Sequence, residues 1–242
     1  MPLCADLGRL LVPRASVTEA ATDAHRGLLR PPAACRCCKH PGVTVSLTAQ
    51  PNIRQYVRVT WPLEQPALTG EDVLLRAVTE SDADAIYQAC QDPEIQHFTQ
   101  VPVPYHRADA DAFVDRCRDR WQERITANFA VCDRATNEFM GIAGVIGADH
   151  AARTAGLGYW TATWGRGRGA TTTAVRLVTA WAFCEGGLAS LTAEAEISNP
   201  ASMRILLKAG FVRQEGAEVV SEMKGSMRNF SVWRAAAESL TC

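Results

Sequence analysis

The stretch 164–171, which reads WGRGRGAT, decides how the rest of the chain is interpreted. It is followed by a run in which Ala174, Leu177, Val178 and Trp181 recur at helical spacing, so a glycine-rich turn leads directly into the N-terminus of a helix. Such a turn exposes backbone N–H groups that no helical bond uses, and the helix dipole adds partial positive charge. The pattern predicts a binding site for a diphosphate.

Two common nucleotide-binding turns do not fit this stretch. A Walker loop needs Lys followed by Ser or Thr after its last glycine, whereas Ala170 and Thr171 stand there. A Rossmann turn follows the first strand and has an acidic partner about 20 residues on, whereas Glu185 lies in a helix-terminating Glu-Gly-Gly stretch. Arg166 and Arg168 add hydrogen-bond donors that suit phosphate oxygens.

Composition and charge narrow the function classes. The chain has 242 residues, 47% of them hydrophobic, and a formal net charge of -1. The hydrophobic fraction is enough for a core. The net charge shows no excess of Lys and Arg, so no nucleic-acid partner is expected. No apolar run is long enough for a membrane span, and Arg9, Pro13 and Arg14 interrupt the only candidate for an export signal, so no membrane association is predicted.

The cysteines indicate a reducing compartment. There are nine, an odd number, and most lie singly, which is not a disulfide framework. Cys90, Cys117 and Cys184 fall within apolar helical patterns, where a free thiol behaves as a small hydrophobe, so we predict a cytoplasmic protein. The Cys- and His-rich segment 35–40 has no second ligand pair at finger-like distance, and a tail without metal is favoured over a zinc site.

The sequence pattern of the chain changes near position 66. Residues 1–66 lack sustained periodicity and are predicted to be a largely irregular or disordered extension, whereas 67–242 alternate strand-like and helix-like segments, as in a compact α/β domain. The predicted elements are a strand at 73–76, a helix from Ser81 as N-cap to Cys90, an amphipathic helix at 108–125, a hairpin of 129–132 with 139–146, and a strand at 156–161.

A second informative stretch follows the glycine-rich turn. Alternation marks 191–197 as a strand, and the chain then passes abruptly into a helix. Asn199 is the predicted N-cap, Pro200 the first helical residue, and Gly210 the end.

Together these motifs resemble the GNAT superfamily of N-acetyltransferases, especially the branch of the ribosomal-protein N-terminal acetyltransferases. The likeness spans roughly 74–233. Residues 166–169 match the first four places of the family's cofactor motif Q/R-x-x-G-x-G/A, while Thr171 stands at the sixth place, where Gly or Ala is usual. LGYW at 157–160, NPAS at 199–202 and KAGF at 208–211 lie at family-like spacing.

The resemblance implies a fold and a cosubstrate. The fold is α/β (α+β), with a mixed central sheet of about six or seven strands flanked by helices and two parallel strands that splay apart at the cofactor cleft. Acetyl-CoA is the implied acetyl donor, its pantetheine arm lies between those strands, and no metal is required. The implied cofactor-binding residues are Trp160, Thr161, Arg166, Gly167, Arg168, Gly169, Ala170, Thr171 and Asn199.

The same resemblance suggests catalytic residues, each with a plainer alternative. Glu222 lies where the branch places a carboxylate base, or is a solvated hairpin carboxylate. Ser202 donates a proton to the leaving thiolate, or only satisfies an N–H of its own helix. Tyr159 touches substrate, or is a core aromatic residue of a strand. Asn199 likewise contacts pantetheine or caps its helix.

The implied acceptor is a primary amine, either a protein N-terminus or a small molecule such as a polyamine. An α-amine of pKa about 7.8 is roughly one-seventh neutral at pH 7, whereas a lysine near 10.4 is neutral only about once in 2,500, so an N-terminal amine needs only a modest base. We expect the acceptor mouth at His97, Phe98, Thr99 and 102–105. A non-catalytic CoA-binding sensor and another acyl donor stay open, as do monomer and homodimer.

Overall fold

A computed structural model describes residues 61–239 of the chain. Its strands are β1 (Leu68–Thr69), β2 (Val73–Ala77), β3 (Ala127–Asp133), β4 (Phe139–Asp149), β5 (Thr154–Thr161), β6 (Ser190–Glu196), β7 (Val212–Arg213), β8 (Val219–Met223) and β9 (Ser226–Ala236). Its α-helices are α1 (Ala83–Ala89), α2 (Pro93–Phe98), α3 (Arg107–Gln122), α4 (Ala170–Cys184) and α5 (Pro200–Lys208). The segment 35–40 lies outside the described residues, as does most of the predicted extension.

The strands form one mixed sheet of nine strands within residues 61–239. Their order is β1-β2-β3-β4-β5-β6-β9-β7, and β8 pairs with β9. Among the strands of residues 61–239, only β5 and β6 pair in parallel. The predicted mixed α/β architecture is therefore confirmed. The sheet exceeds the predicted six or seven strands because β1 and β7, of two residues each, are too short to leave a periodic signal.

Two hydrophobic cores cover the two faces of the sheet. On one face, here called the α4 face, Leu157, Ala193 and Trp233 pack in one cluster with Val178 of α4. On the other, here called the α2 face, a cluster joins Ile142 of β4 with residues of α1, α2 and α3. Successive strand residues point to opposite faces, so the position of a residue in its strand decides which core or cleft it enters.

An aromatic cluster joins the start of the described region to the α4 face. Trp61 is 2% exposed, and its ring centroid lies 5.3 Å from that of Trp121 and 5.3 Å from that of Trp181. Its indole N–H donates to the carbonyl of Gly186. The core thus includes a residue six positions before the predicted start of the domain at 67.

Of the two helix N-caps predicted from the sequence, the structure confirms one. Asn199 accepts a hydrogen bond from the Ser202 amide and Pro200 is the first residue of α5, so the predicted cap is confirmed. The prediction of Ser81 as an N-cap is wrong. A 3₁₀ turn at Glu80–Asp82 precedes α1, and Thr79 stands before that turn with its amide bonded to Asp82.

Three further expectations concern thiols and membranes. Cys90 and Cys117 are buried free thiols, as predicted. The prediction is wrong for Cys184, which is exposed at the end of α4 and disulfide-bonded. Within residues 61–239, no helix is both long enough and apolar enough to cross a membrane.

Candidate active site

Strands β5 and β6 pair over only three residue pairs and then separate. The pairs run from Thr154 with Ser190 to Gly156 with Thr192. Beyond them β5 remains bonded to β4 as far as Thr161, and β6 remains bonded to β9. The backbone of 157–161 therefore has no strand partner on its β6 side. This is the predicted splay, and an extended amide-containing ligand can add there as a strand.

The glycine-rich turn lies immediately beyond β5. Gly167 and Gly169 have φ values of 77° and 76°, a left-handed conformation that glycine adopts without strain. A Cβ added at either glycine would meet no atom within 4 Å, so the turn faces open space. The amides of Gly167, Arg168 and Gly169 donate no hydrogen bond to any of residues 61–239. Unbonded amides beside the first turn of α4 are suited to an anion.

Thr171, the departure from the family motif, lies in the first turn of α4 beside the end of β5. Its hydroxyl is hydrogen-bonded to that of Thr161 at the end of β5. The bond ties the first turn of α4 to the strand beside the splay. The extra side chain therefore has a structural partner and does not point into open space.

Both arginines of the turn are engaged by carboxylates. Arg166 donates to Asp92 and Glu94, at the start of α2. Arg168 donates to Asp133, at the end of β3. The backbone amides of the turn are available to a ligand, whereas the guanidinium groups already have partners.

Tyr159 and Ser202 lie together across the splay. The Tyr159 hydroxyl lies 2.8 Å from the Ser202 hydroxyl and 3.1 Å from the Ser202 carbonyl oxygen. Burial raises the pKa of Tyr159 to about 12, although its hydrogen bond to Ser202 opposes the shift. The phenol is therefore protonated at neutral pH. The Ser202 amide is bonded to Asn199, and the Ser202 hydroxyl makes no hydrogen bond to a helix N–H within residues 61–239.

Glu222 lies apart from this pair. It is an exposed residue of β8, paired with Met227 of β9, and its side chain makes no hydrogen bond within residues 61–239. Paired residues share a face, and so do residues an even number apart along a strand, so Glu222 lies on the α4 face with Trp233. Trp160 points the other way and packs with Phe139 on the α2 face.

Two carboxylates that received no role from the sequence lie at the opening of the splay. Glu194 pairs with Val232 and Glu196 with Phe230, which places both on the α2 face. Glu194 lies two residues beyond the last parallel pair, opposite Gly158. Its side chain is half-buried and has no hydrogen bond within residues 61–239. Burial raises the pKa of its carboxyl group above the ordinary value. Period two in LTAEAEI was the available signal, because it puts both carboxylates on one face.

Glu196 is fully engaged by its neighbours. It accepts from Ser198 at 2.7 Å and from Arg228 at 3.2 Å, and His97 lies 4.0 Å away. His97 thus lies beside the splay, at the predicted acceptor mouth. Tyr105, in contrast, is 5% exposed within the core of the α2 face, so its assignment to that mouth is wrong.

Metal ligands are not gathered in the described region. Between residues 61 and 239 no three His, Cys, Asp or Glu side chains are placed to hold an ion. The candidate site therefore consists of backbone amides, two hydroxyl groups and carboxylates.

Comparison with known proteins places this geometry in a family. Residues 72–212 match the acetyltransferase (GNAT) domain. An uncharacterized N-acetyltransferase of Bacillus subtilis, YoaA, is 25% identical over 149 residues, which cover 62% of this chain and 84% of YoaA. The family match at 72–212 covers more than half of the chain, so the chain belongs to the GNAT acetyltransferase family.

Solved structures support the same fold. RimL, a ribosomal L7/L12 α-N-protein acetyltransferase crystallised with coenzyme A, superposes with a TM-score of 0.64 at 15% identity, over 71% of this chain and 98% of that one. Spermidine N-acetyltransferase from Vibrio cholerae, with CoA and spermine, gives 0.60 at 18% identity, over 70% and 98%. The predicted GNAT fold is confirmed, and the two neighbours act on different kinds of amine.

Proposed function

We propose that the chain transfers an acetyl group from acetyl-CoA to a primary amine, with a protein N-terminal α-amine as the leading acceptor. The observation that carries the proposal is the coincidence of two features. The three amides of 167–169 have no partner within the described residues, and β5 and β6 separate directly beside them. One feature suits a diphosphate and the other a long amide-containing arm, which are adjoining parts of coenzyme A.

Acetyl-CoA supplies the thioester that the amine attacks. The segment 157–161, which includes Trp160 and Thr161, has no strand partner among residues 61–239 on the side of the splay, and we propose that pantetheine amides bond along it. The Thr161 carbonyl already accepts from Arg166 Nε at 3.3 Å. The amides of Gly167, Arg168, Gly169, Ala170 and Thr171 form the diphosphate cradle in this proposal. The Arg166 amide lies at its edge and already donates to the Thr163 carbonyl at 3.4 Å. Asn199 serves by holding the first turn of α5, since its side chain accepts from the Ser202 amide.

Tyr159 and Ser202 are the proposed proton donors to the departing thiolate. Each hydroxyl carries one proton, and the bond between them orients both. A phenol whose pKa is raised to about 12 by burial can donate a proton at neutral pH but cannot serve as the base. This favours the catalytic alternative for Ser202 over a purely structural one.

Two carboxylates compete for the role of base. Glu222 shares the α4 face with Tyr159, but its side chain is exposed and forms no hydrogen bond within residues 61–239. Glu194 shares the α2 face with His97, where the acceptor is expected to enter, and its pKa is raised by burial towards the range that suits general-base catalysis. We therefore propose Glu194 as the first candidate and keep Glu222 as the second.

Paired variants distinguish the two carboxylates. Glu194→Gln is expected to lower kcat about 100-fold or more and to remove the acidic limb of the kcat/KM pH profile, because the proton acceptor is lost. Glu222→Gln, which carries the same change of charge, is expected to leave that limb in place. The reverse pattern would assign the base to Glu222.

The acceptor class is open to a direct assay. Thiol release from acetyl-CoA is measured with a serine-initiated peptide, spermidine and an aminoglycoside, and with succinyl-CoA as an alternative donor. We expect fastest turnover with acetyl-CoA and the peptide, because an α-amine of pKa about 7.8 is neutral far more often at pH 7 than an alkylamine such as that of lysine. Faster turnover of spermidine would indicate a small-molecule enzyme. Binding of acetyl-CoA without turnover of any amine would indicate a sensor.

A further inference from the structure

Helix α2 crosses the open part of the sheet on the α2 face. At its start, Asp92 caps the helix through the Glu94 amide at 2.9 Å, and both carboxylates bind Arg166 in the turn after β5. One side of the splay is thereby joined to the N-terminal end of α2. The guanidinium of Arg166 forms this joint.

The other end of α2 is held from the far side of the splay. The carbonyl of His97 accepts from Arg228 of β9 at 2.7 Å, and the carbonyl of Gln96 accepts from Lys224, in the turn between β8 and β9. Cations suit the carbonyl end of a helix as carboxylates suit its amide end. The short helix is thus fixed at both ends, and His97 near its C-terminus lies 4.0 Å from Glu196.

The burial of Asp92 indicates where the charge of Arg166 is used. The Asp92 side chain is 9% exposed, whereas those of Arg166 and Glu94 are 36% and 68% exposed. If the guanidinium turned towards a bound diphosphate, Asp92 would remain as a buried carboxylate without its cation, which is unfavourable. The amides of 167–169 can hold an anion without that loss.

We propose that Arg166 is a positioning residue for the acceptor amine. Its guanidinium fixes α2 to the turn after β5 and also donates to the Thr161 carbonyl at 3.3 Å, while the amides that follow it form the cofactor cradle. The inference rests on the proposed function, because it assumes that an amine enters between α2 and the splayed strands. Arg166 is then a residue whose side chain controls the acceptor, although its neighbours in sequence bind the donor.

Two sets of variants separate this role from direct phosphate binding. Arg166→Ala removes the cation, and the double variant Asp92→Asn with Glu94→Gln removes the charges that hold it. Both are expected to speed amide hydrogen exchange in 94–98 at least tenfold and to leave the Kd for coenzyme A within about threefold by calorimetry. Glu80→Gln is the control for charge, because no hydrogen bond or ion pair of its side chain occurs in the described region, and it should change neither quantity.

A phosphate-binding guanidinium would give the opposite result. Arg166→Ala would then weaken coenzyme A at least tenfold, and the double variant would tighten it, because the competing carboxylates are gone. Weaker binding of coenzyme A by Arg166→Ala, or tighter binding by the double variant, would overturn the proposal. Unchanged amide hydrogen exchange in 94–98 in these variants would overturn it too.

Steady-state kinetics add a readout that mere destabilisation does not give. With the serine-initiated peptide or spermidine, whichever is turned over, Arg166→Ala should raise the acceptor KM at least fivefold and leave the acetyl-CoA KM unchanged, and Arg166→Lys should recover part of the loss. A rise in the acetyl-CoA KM alone would contradict the inference. If the unaltered chain binds no coenzyme A, the proposed function fails, whereas the exchange experiment still tests the joint at α2.

Discussion

The turn after β3 and the turn after β5 solve the same problem in opposite ways. In the first, one carboxylate oxygen of Asp133 accepts from the amides of Ala135 and Thr136 at 2.9 and 3.1 Å. Asp149 does the same for two amides of the turn after β4. In the turn after β5 the amides of 167–169 have no partner within residues 61–239. The chain supplies an acceptor to two turns, and we propose that a ligand supplies it to the third.

The comparison separates stability from function within one sheet. Where the chain provides its own carboxylate, the turn is complete and contributes to the fold. Where glycines keep the backbone open and no acidic side chain follows, the turn is completed only by an anion from outside. The same rule applies to Asp82, which accepts from the Thr79 amide and pairs with Arg76.

The largest expected effect is on the free energy of unfolding, and it follows the removal of Asp82, which bonds to its own chain. Asp82 is 3% exposed and its two carboxylate oxygens each accept from Arg76 at 2.8 Å. Asp82→Ala should lower the free energy of unfolding by about 3 kcal/mol, because Arg76 is left without its buried partner. Urea denaturation measures this. Asp84→Ala, at an exposed carboxylate, is the control, and an equal loss there would contradict the argument.

The next prediction closes the open turn with a side chain. Gly167→Val should weaken coenzyme A by more than about tenfold, or 1.4 kcal/mol, because the new side chain occupies the space in front of the amides. Gly216→Val is the matched control, since Gly216 also has a positive φ, 73°, and open space around its Cβ position. Both should lose about 1–3 kcal/mol of stability, but only Gly167→Val should lose binding. Equal binding by the two variants would remove the turn from the site.

The smallest expected effect depends on pH. Hydrogen bonds from the Thr136 and Ala135 amides, and from Arg168, hold the pKa of Asp133 below its ordinary value of 3.8. The stability contributed by charged Asp133 is therefore full above that value and is lost as the pH falls through the lower, folded pKa. Thermal melts of the unaltered chain and Asp133→Ala should differ at pH 6 and converge towards pH 2.5. A difference that stays constant down to pH 2.5 would contradict this origin.

Much of this architecture could be predicted because its signals are local. The glycine-rich turn, the Asn199 cap and the strand at 191–197 are each written in a few adjacent residues, and the structure has all three. The pairing of Arg166 with Asp92 could not be predicted, because 74 positions separate them and only the fold brings them together. Glu194 was visible as part of a strand, but its burial depends on the splay. Ser81 was misplaced because Asp82, its neighbour, accepts the local amide instead.

The most direct test follows the amides themselves as coenzyme A is added. In ¹⁵N–¹H NMR spectra, the account predicts large shifts and slowed exchange for the amides of Gly167, Arg168 and Gly169. The amides of Ala135 and Thr136, which already have their acceptor, should not move. Saturating coenzyme A that leaves the three turn amides unchanged, or the absence of any binding, would contradict the account.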